Sequence, residues 1–223
     1  MNKMPVEPQK IRDIFDYLYN PTHPLERSDG AFVFCRDDPL VAERAAELYH
    51  SQLVGYVLFT GGLGKDSGYL GDLKVPEAKW QALLLNIVHG VPQNHIYVEA
   101  EARNGAENSA LGIDTIVHHE LSHSHLTIII HPTQMRRVHA VHLLKAAEKQ
   151  FTAEYRRTGT NYIFDPTRPR DQMEAMTELV KIADWSEKGW CVEQPDVPLD
   201  LVEYAREMMI PISAGQSSRM VTK

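Results

Sequence analysis

Two adjacent arginines, Arg136 and Arg137, follow Pro132 in the stretch HPTQMRR, where a long helix is predicted to begin. The first turn of a helix carries the positive end of its dipole and favours acidic residues. Cations placed there call for something negative. One candidate is the phosphate or carboxylate of a ligand held at the helix start; the other is an ion pair with Glu99, Glu101 or Glu107. A second chemical feature is the loop Gly61-Gly62-Leu63-Gly64-Lys65-Asp66-Ser67-Gly68. Glycines let backbone amides approach an anion closely. The loop does not end in GK[ST], so it is no Walker A loop. As a dinucleotide fingerprint it has Gly62 and Gly64 but Ser67 in third place. It reads either as a ligand contact or as a turn requiring positive φ.

The third feature is Asn104-Gly105-Ala106-Glu107-Asn108, preceded by Glu99. Asn104 with Glu107 three residues on forms a capping box, which accounts for both without a ligand. Asn108 and Glu99 are not so explained. Asp38-Pro39 reads as a helix start, and Glu77 stands at another, where the dipole favours it. Acid–base chemistry, if present, falls to Asp37, Glu99 or Glu107. No GxSxG elbow supplies a nucleophilic serine, and Cys35 sits at the end of a predicted strand.

Histidine is abundant. There are 11, and His118, His119, His123 and His125 crowd together. His119-Glu120-Leu121-Ser122-His123 matches HExxH, which on a helix would place two zinc ligands on one face with Glu120 as base. Here the pattern ends a crossover helix and leads into a strand, at the amino edge of the predicted sheet and on a polar helix face. No resident metal is expected from it. A metal-dependent hydrolase using His119 and His123 stays as an alternative.

The surrounding chain sets the frame for these residues. Its 223 residues suit a single domain, and 43% hydrophobic with 24% charged residues is ordinary globular composition. A net charge of −7 argues against a general nucleic-acid binder. Cys35 and Cys191 form no CxxC, as suits a reducing compartment. The first residues lack an apolar signal core, and the apolar run at 53–59 is too short to span a bilayer. A cytoplasmic protein without a membrane partner is expected.

Apolar bursts at 31–35, 56–60, 95–99 and 126–131 read as strands, with a fifth at 161–164. Helix-period segments alternate with them: around Val41–Tyr49, from Pro76 to Gly90, from Ala106 to about Leu121, from Pro132 to about Phe151, near 171–186 and near 199–209. Residues before Asp29 are expected to form a helix packed on the outside. The pattern predicts a three-layer α/β/α Rossmann-like domain over residues 1–215, with a mainly parallel sheet of about five strands in the order 3-2-1-4-5 and a mobile tail at 216–223. Ligands in such sheets bind outside the carboxyl ends of the strands, at the switch point, here between strands one and four.

In order and spacing, AFVFCRDD, LFTGGLG, Pro76-Glu77-Ala78, IYVEAEARNGAEN, HPTQMRR and ELVKIADWSEKGW make residues 29–190 resemble the YdcF-like family, which includes the SanA and ElyC group. The resemblance implies a Rossmann-like domain whose activity is unsettled and for which S-adenosylmethionine binding has been proposed. It implies ligand-facing positions at Gly61, Gly62, Glu77, Glu99, Asn104, Glu107, Asn108, Gln134, Arg136 and Arg137. Gly64 joins them from its place in the glycine loop. The sequence departs from the family at Ala102, usually a small hydroxyl residue, and at Gly105, often threonine. The functional expectation is a protein, enzyme or not, that binds S-adenosylmethionine or a nucleotide-like, phosphorylated ligand. A non-catalytic regulatory or scaffold role is the other alternative.

Overall fold

The structure is a computed structural model, described here over residues 6–64 and 68–217. Five parallel strands, β1 (Gly30–Phe34), β2 (Val57–Thr60), β3 (Ile96–Glu99), β4 (His125–Ile130) and β5 (Glu154–Gly159), form one sheet in the order β3-β2-β1-β4-β5. The order agrees with the sequence reading, and β1 and β4 are neighbours at the switch point. Every residue of β1 and β2 is buried, as are all of β4 after His125. A strand covered on both faces must be apolar throughout, and GAFVF, VLFT and LTIII satisfy this. Burying a side chain such as Phe32 or Phe59 contributes about 2–3 kcal/mol.

Helices α2 (Leu40–His50) and α4 (Glu77–Leu83, continued by a wider π turn through Val88) cover one face. Their core packs Val41, Ala45, Leu48, Ala78, Ala82 and Leu85 against Ala31, Val33, Val57 and Phe59. A short helix, α3 (Gly68–Asp72), precedes α4. The opposite face is covered by α5 (Gly105–His118) and α6 (Met135–Glu148), whose Ile113, Ile116, Met135 and Val138 meet Phe32, Leu58, Leu126 and Ile128.

A third core joins α1 (Pro8–Leu18), α7 (Pro169–Glu187) and α8 (Leu199–Ser217). The expected N-terminal helix forms and packs outside the sheet layers, where Ile11, Ile14 and Leu18 are fully buried against α7 and α8. Contacts of α7 with α6 and with the turn after β4 bring this core over the sheet's carboxyl edge.

The fifth strand lies at 154–159 and not at 161–164. Its sequence, EYRRTG, is polar because it is an edge strand with only its last two residues buried. Phe164 instead stacks on Phe15 in the third core, with ring centroids 4.1 Å apart. Of the expected tail, residues 216–217 continue α8, and 218–223 lie outside the described residues. Among the described residues no helix is long and apolar enough to cross a membrane.

Candidate functional site

The ends of β1, β2 and β3 bring Cys35, Gly61, Glu77 and Glu99 together. Gly61 has φ +147°, and a Cβ there would lie 3.2 Å from the Cys35 Cβ and 3.3 Å from the Glu77 Oε2. Its neighbour Gly62 is packed harder: a Cβ would lie 2.6 Å from the Ala100 carbonyl oxygen and 2.7 Å from that of Ala102. The amides of Gly61 and Gly62 donate to the Glu99 and Ala102 carbonyls at 3.0 and 2.7 Å, and their own carbonyls accept from Ala78 and Glu77 at 2.8 and 3.2 Å. The two glycines thus stitch the start of α4 to the end of β3. Their N–H groups are engaged within the protein and do not form the expected anion cradle. Gly64 closes the described part of this loop, and Lys65, Asp66 and Ser67 lie outside it.

Glu99 is 7% exposed. Its Oε1 accepts from the amides of Glu101 at 2.6 Å and Ala102 at 3.0 Å. Its Oε2 is buried and has no hydrogen-bond partner among the described residues. Burial raises the carboxyl above its ordinary value, against the pull of those two amides. The Cys35 thiol is pushed well above its usual range, first by burial and then by Glu77 and Glu99. A thiol held protonated in this way is not a nucleophile.

At the start of α5 the capping box forms. Asn104 Oδ1 accepts from the amides of Ala106 at 3.1 Å and Glu107 at 3.0 Å, while Glu107 accepts from Asn104 Nδ2 at 2.7 Å and the Arg103 amide at 2.8 Å. Both are accounted for by helix initiation. Asn108 differs: its Oδ1 is buried without a partner. Asp37 is exposed and accepts from the Tyr69 amide at 2.9 Å, and Asp38 caps α2 through the Leu40 amide at 3.0 Å. Gln81, which nothing in its sequence context singled out, is fully buried. It accepts from the Ala42 amide at 3.0 Å and donates to the carbonyls of Arg36 and Asp38, both at 2.8 Å.

The arginines of α6 are matched by acids, but not those anticipated. Arg136 Nη1 meets both oxygens of Asp196 at 2.9 Å, its Nε donates to the Tyr17 carbonyl, and its guanidinium lies 4.0 Å above the Tyr17 ring. Arg137, 8% exposed, donates to Glu178 at 2.5 Å and covers Trp185. Gln134 stands, partly buried, at the N-cap of α6. At the switch point, Glu174 of α7 accepts from Arg36 at 2.6 Å and from Thr133 at 2.8 Å, and His131 lies 2.8 Å from the Thr133 hydroxyl. Burial acts to raise the Glu174 carboxyl, but Arg36 and His131 outweigh it and hold it below its ordinary value. The crevice between β1 and β4 is therefore roofed by α7. The open rim lies over β1, β2 and β3, where Asp37, Glu101, Arg103 and Asn104 are exposed.

The HExxH pattern is not helical. The helix ends at His118, short of the expected Leu121; His119 is its C-cap and Glu120 has φ +52°. His123 turns back to the Leu121 carbonyl at 2.8 Å and stacks on Phe151. His119 and His123 thus share no helix face, and among the described residues no cluster of three or more His, Cys, Asp or Glu could hold a metal. The chain matches no family model and is similar to no curated protein.

Proposed function

We propose that the protein is a YdcF-like, cytoplasmic small-molecule binder whose ligand lies over the carboxyl ends of β1, β2 and β3, and that this ligand is of the S-adenosylmethionine type and not a phosphorylated one. The observation that carries this reading is the Oε2 of Glu99, a buried carboxyl oxygen without a partner at the carboxyl end of β3, an edge strand of the sheet. A buried acceptor left unmet is costly, and a ligand donor would meet it. Glu77 stands beside it across Gly61. Two carboxylates favour a ligand rich in hydroxyl, amine or sulfonium groups. The motive for a phosphate weakens at the same time. Arg136 and Arg137 are matched by Asp196 and Glu178, and the Gly61 and Gly62 amides are bonded within the protein.

Glu77, Glu99 and Asn108 are the side chains assigned to the ligand, with Gly61 letting Cys35 and Glu77 pack closely beneath it. Asp37, Asn104 and Glu107 keep the local roles described above. Should turnover accompany binding, Glu99 is the acid–base group, since a carboxyl raised by burial is nearer to proton exchange at neutral pH. Calorimetric titration with S-adenosylmethionine, S-adenosylhomocysteine and adenosine triphosphate tests the reading. Saturable binding of S-adenosylmethionine is expected, weakened at least tenfold in Glu99→Gln. Binding of the triphosphate alone would return the phosphorylated alternative, and binding of none of the three would sink the proposal.

A further inference from the structure

On the far side of the sheet from Glu77, a second set of polar groups lacks partners. Alternation along β5 places Tyr155 and Arg157 on the side that α6 covers. There Tyr155 meets His142 and His139 of α6, with ring centroids 4.9 and 6.3 Å apart. The Tyr155 hydroxyl, the His139 Nε2 and both ring nitrogens of His142 are buried without a hydrogen-bond partner among the described residues. His142 is fully buried, edge-on to Phe32 and Phe34.

Arg157 is the charged member of this set. Nearby arginines are neutralised: Arg136 by Asp196, Arg137 by Glu178, and Arg156, on the opposite face of the strand, by Glu26. The half-buried guanidinium of Arg157 has neither an ion pair nor a side-chain hydrogen bond among the described residues; only its backbone is bonded, to Thr22. Its charged neighbour is another cation, Arg136, and burial together with Arg136 lowers its pKa.

We propose that the seam between α6 and β5 is a second binding site, for a phosphate-type oxyanion, with the Arg157 guanidinium as its anchor and the His139 Nε2 as an additional donor. Arg157 presents N–H donors in a planar fork, and a neutral imidazole or a phenol can donate as well, so the seam is rich in donors, and among the described residues no carboxylate pairs with Arg157. Water could meet the imidazole and phenol atoms but would leave the arginine charge uncompensated beside Arg136. A tetrahedral oxyanion supplies both the acceptors and the charge. Arg157 is only partly buried, on an edge strand, so the site is reached from the edge of the sheet. It is independent of the carboxyl-edge site.

The test is thermal denaturation of the full chain in inorganic phosphate, with chloride at matched ionic strength as reference, for the wild type and Arg157→Gln. Phosphate also stabilises proteins generally by exclusion from their surface, so the comparison between variants decides. The wild type is expected to show a saturable rise in Tm that Arg157→Gln loses, with phosphate affinity down at least tenfold. In chloride, Arg157→Gln should be no less stable than the wild type, because an unmatched charge has gone. His139→Gln, a second variant, should bind phosphate severalfold more weakly, and the His139 ring resonances should move on phosphate addition in the wild type. Acetate, as the carboxylate probe, should act more weakly than phosphate. Equal rises in wild type and Arg157→Gln would mean a general salt effect or an adventitious ion only, and would overturn the proposal, as would no saturable rise. A response to acetate but not phosphate would overturn the phosphate assignment.

Discussion

Arg36, just past the end of β1, donates to Glu174 of α7 across 2.6 Å and 138 residues of sequence. Through this contact, and through Thr133 on the same carboxylate oxygen, one helix spans the crevice between β1 and β4. Glu174→Ala would leave Arg36 and Thr133 facing each other without an acceptor. Breaking a largely buried pair from one side costs about 3–5 kcal/mol, and partial exposure of Arg36 reduces that here to roughly 2–3 kcal/mol. Urea denaturation of Glu174→Ala and of the milder Glu174→Gln would check it.

The pair Arg137–Glu178 is more deeply buried, with side chains 9% and 3% exposed. Glu178→Leu alone should destabilise the fold by about 3–5 kcal/mol, because it strands the buried Arg137 charge, and Arg137→Met by less, because Lys181 still donates to Glu178 at 3.1 Å. The double variant should recover most of that loss, since two apolar groups need no desolvation. Chemical denaturation of both singles and the double measures the coupling. A double variant as unstable as the sum of the singles would show no coupling between the two residues and would overturn the prediction.

Acid sensitivity follows from the buried His131 and His142 and the partly buried His139. Burial depresses His131 and His142 to about 3 and His139 to about 4, from an ordinary 6.5. The folded state holds these rings neutral while the unfolded chain protonates below pH 6.5, so stability is full above that value and falls as pH drops toward 3–4. Each ring contributes a slope of at most about 1.4 kcal/mol per pH unit. The depressed carboxyl of Glu174 adds in the same direction at lower pH, and the raised carboxyl of Glu99 opposes it. His142→Leu should flatten the acid limb by one ring's share, read from urea midpoints between pH 4 and 7.

The stitch at Gly62 gives a steric prediction. A Cβ at this position would stand 2.6 and 2.7 Å from two backbone oxygens, which cannot swing aside as a side chain can. Gly62→Ala should therefore cost more than about 2 kcal/mol and disturb the start of α4. Denaturation midpoints and the amide resonances of Glu77 and Ala78 would report it.

Much of the fold was legible because β1, β2 and β4 are buried on both faces and so are written as unbroken apolar runs. The strand β5 escaped notice for the opposite reason: Arg156 and Arg157 sit at an edge where polar residues are tolerated. The capping role of Asn104 and Glu107 was readable because its geometry spans three residues. The partners of Arg136 and Arg137 were not, since Asp196 and Glu178 lie 60 and 41 residues away and reach α6 only through the packing of the third core. Glu99 stood out by its place at a strand end, but its unpaired oxygen depends on how the next three residues turn. The histidine pattern is set aside on its place at the amino edge of the sheet; that it is not helical at all depends on the helix stopping at His118.

Gln81 carries a mechanical consequence. Its one side chain grips the loop after β1 at two carbonyls and the first turn of α2 at one amide while standing on the helix that begins at Glu77. The two banks of the open rim are thereby riveted to each other, as the glycine stitch already rivets one of them to β3. Such a rim behaves as a fixed mould, not as a jaw, and selects whatever fits it by shape held ready in advance.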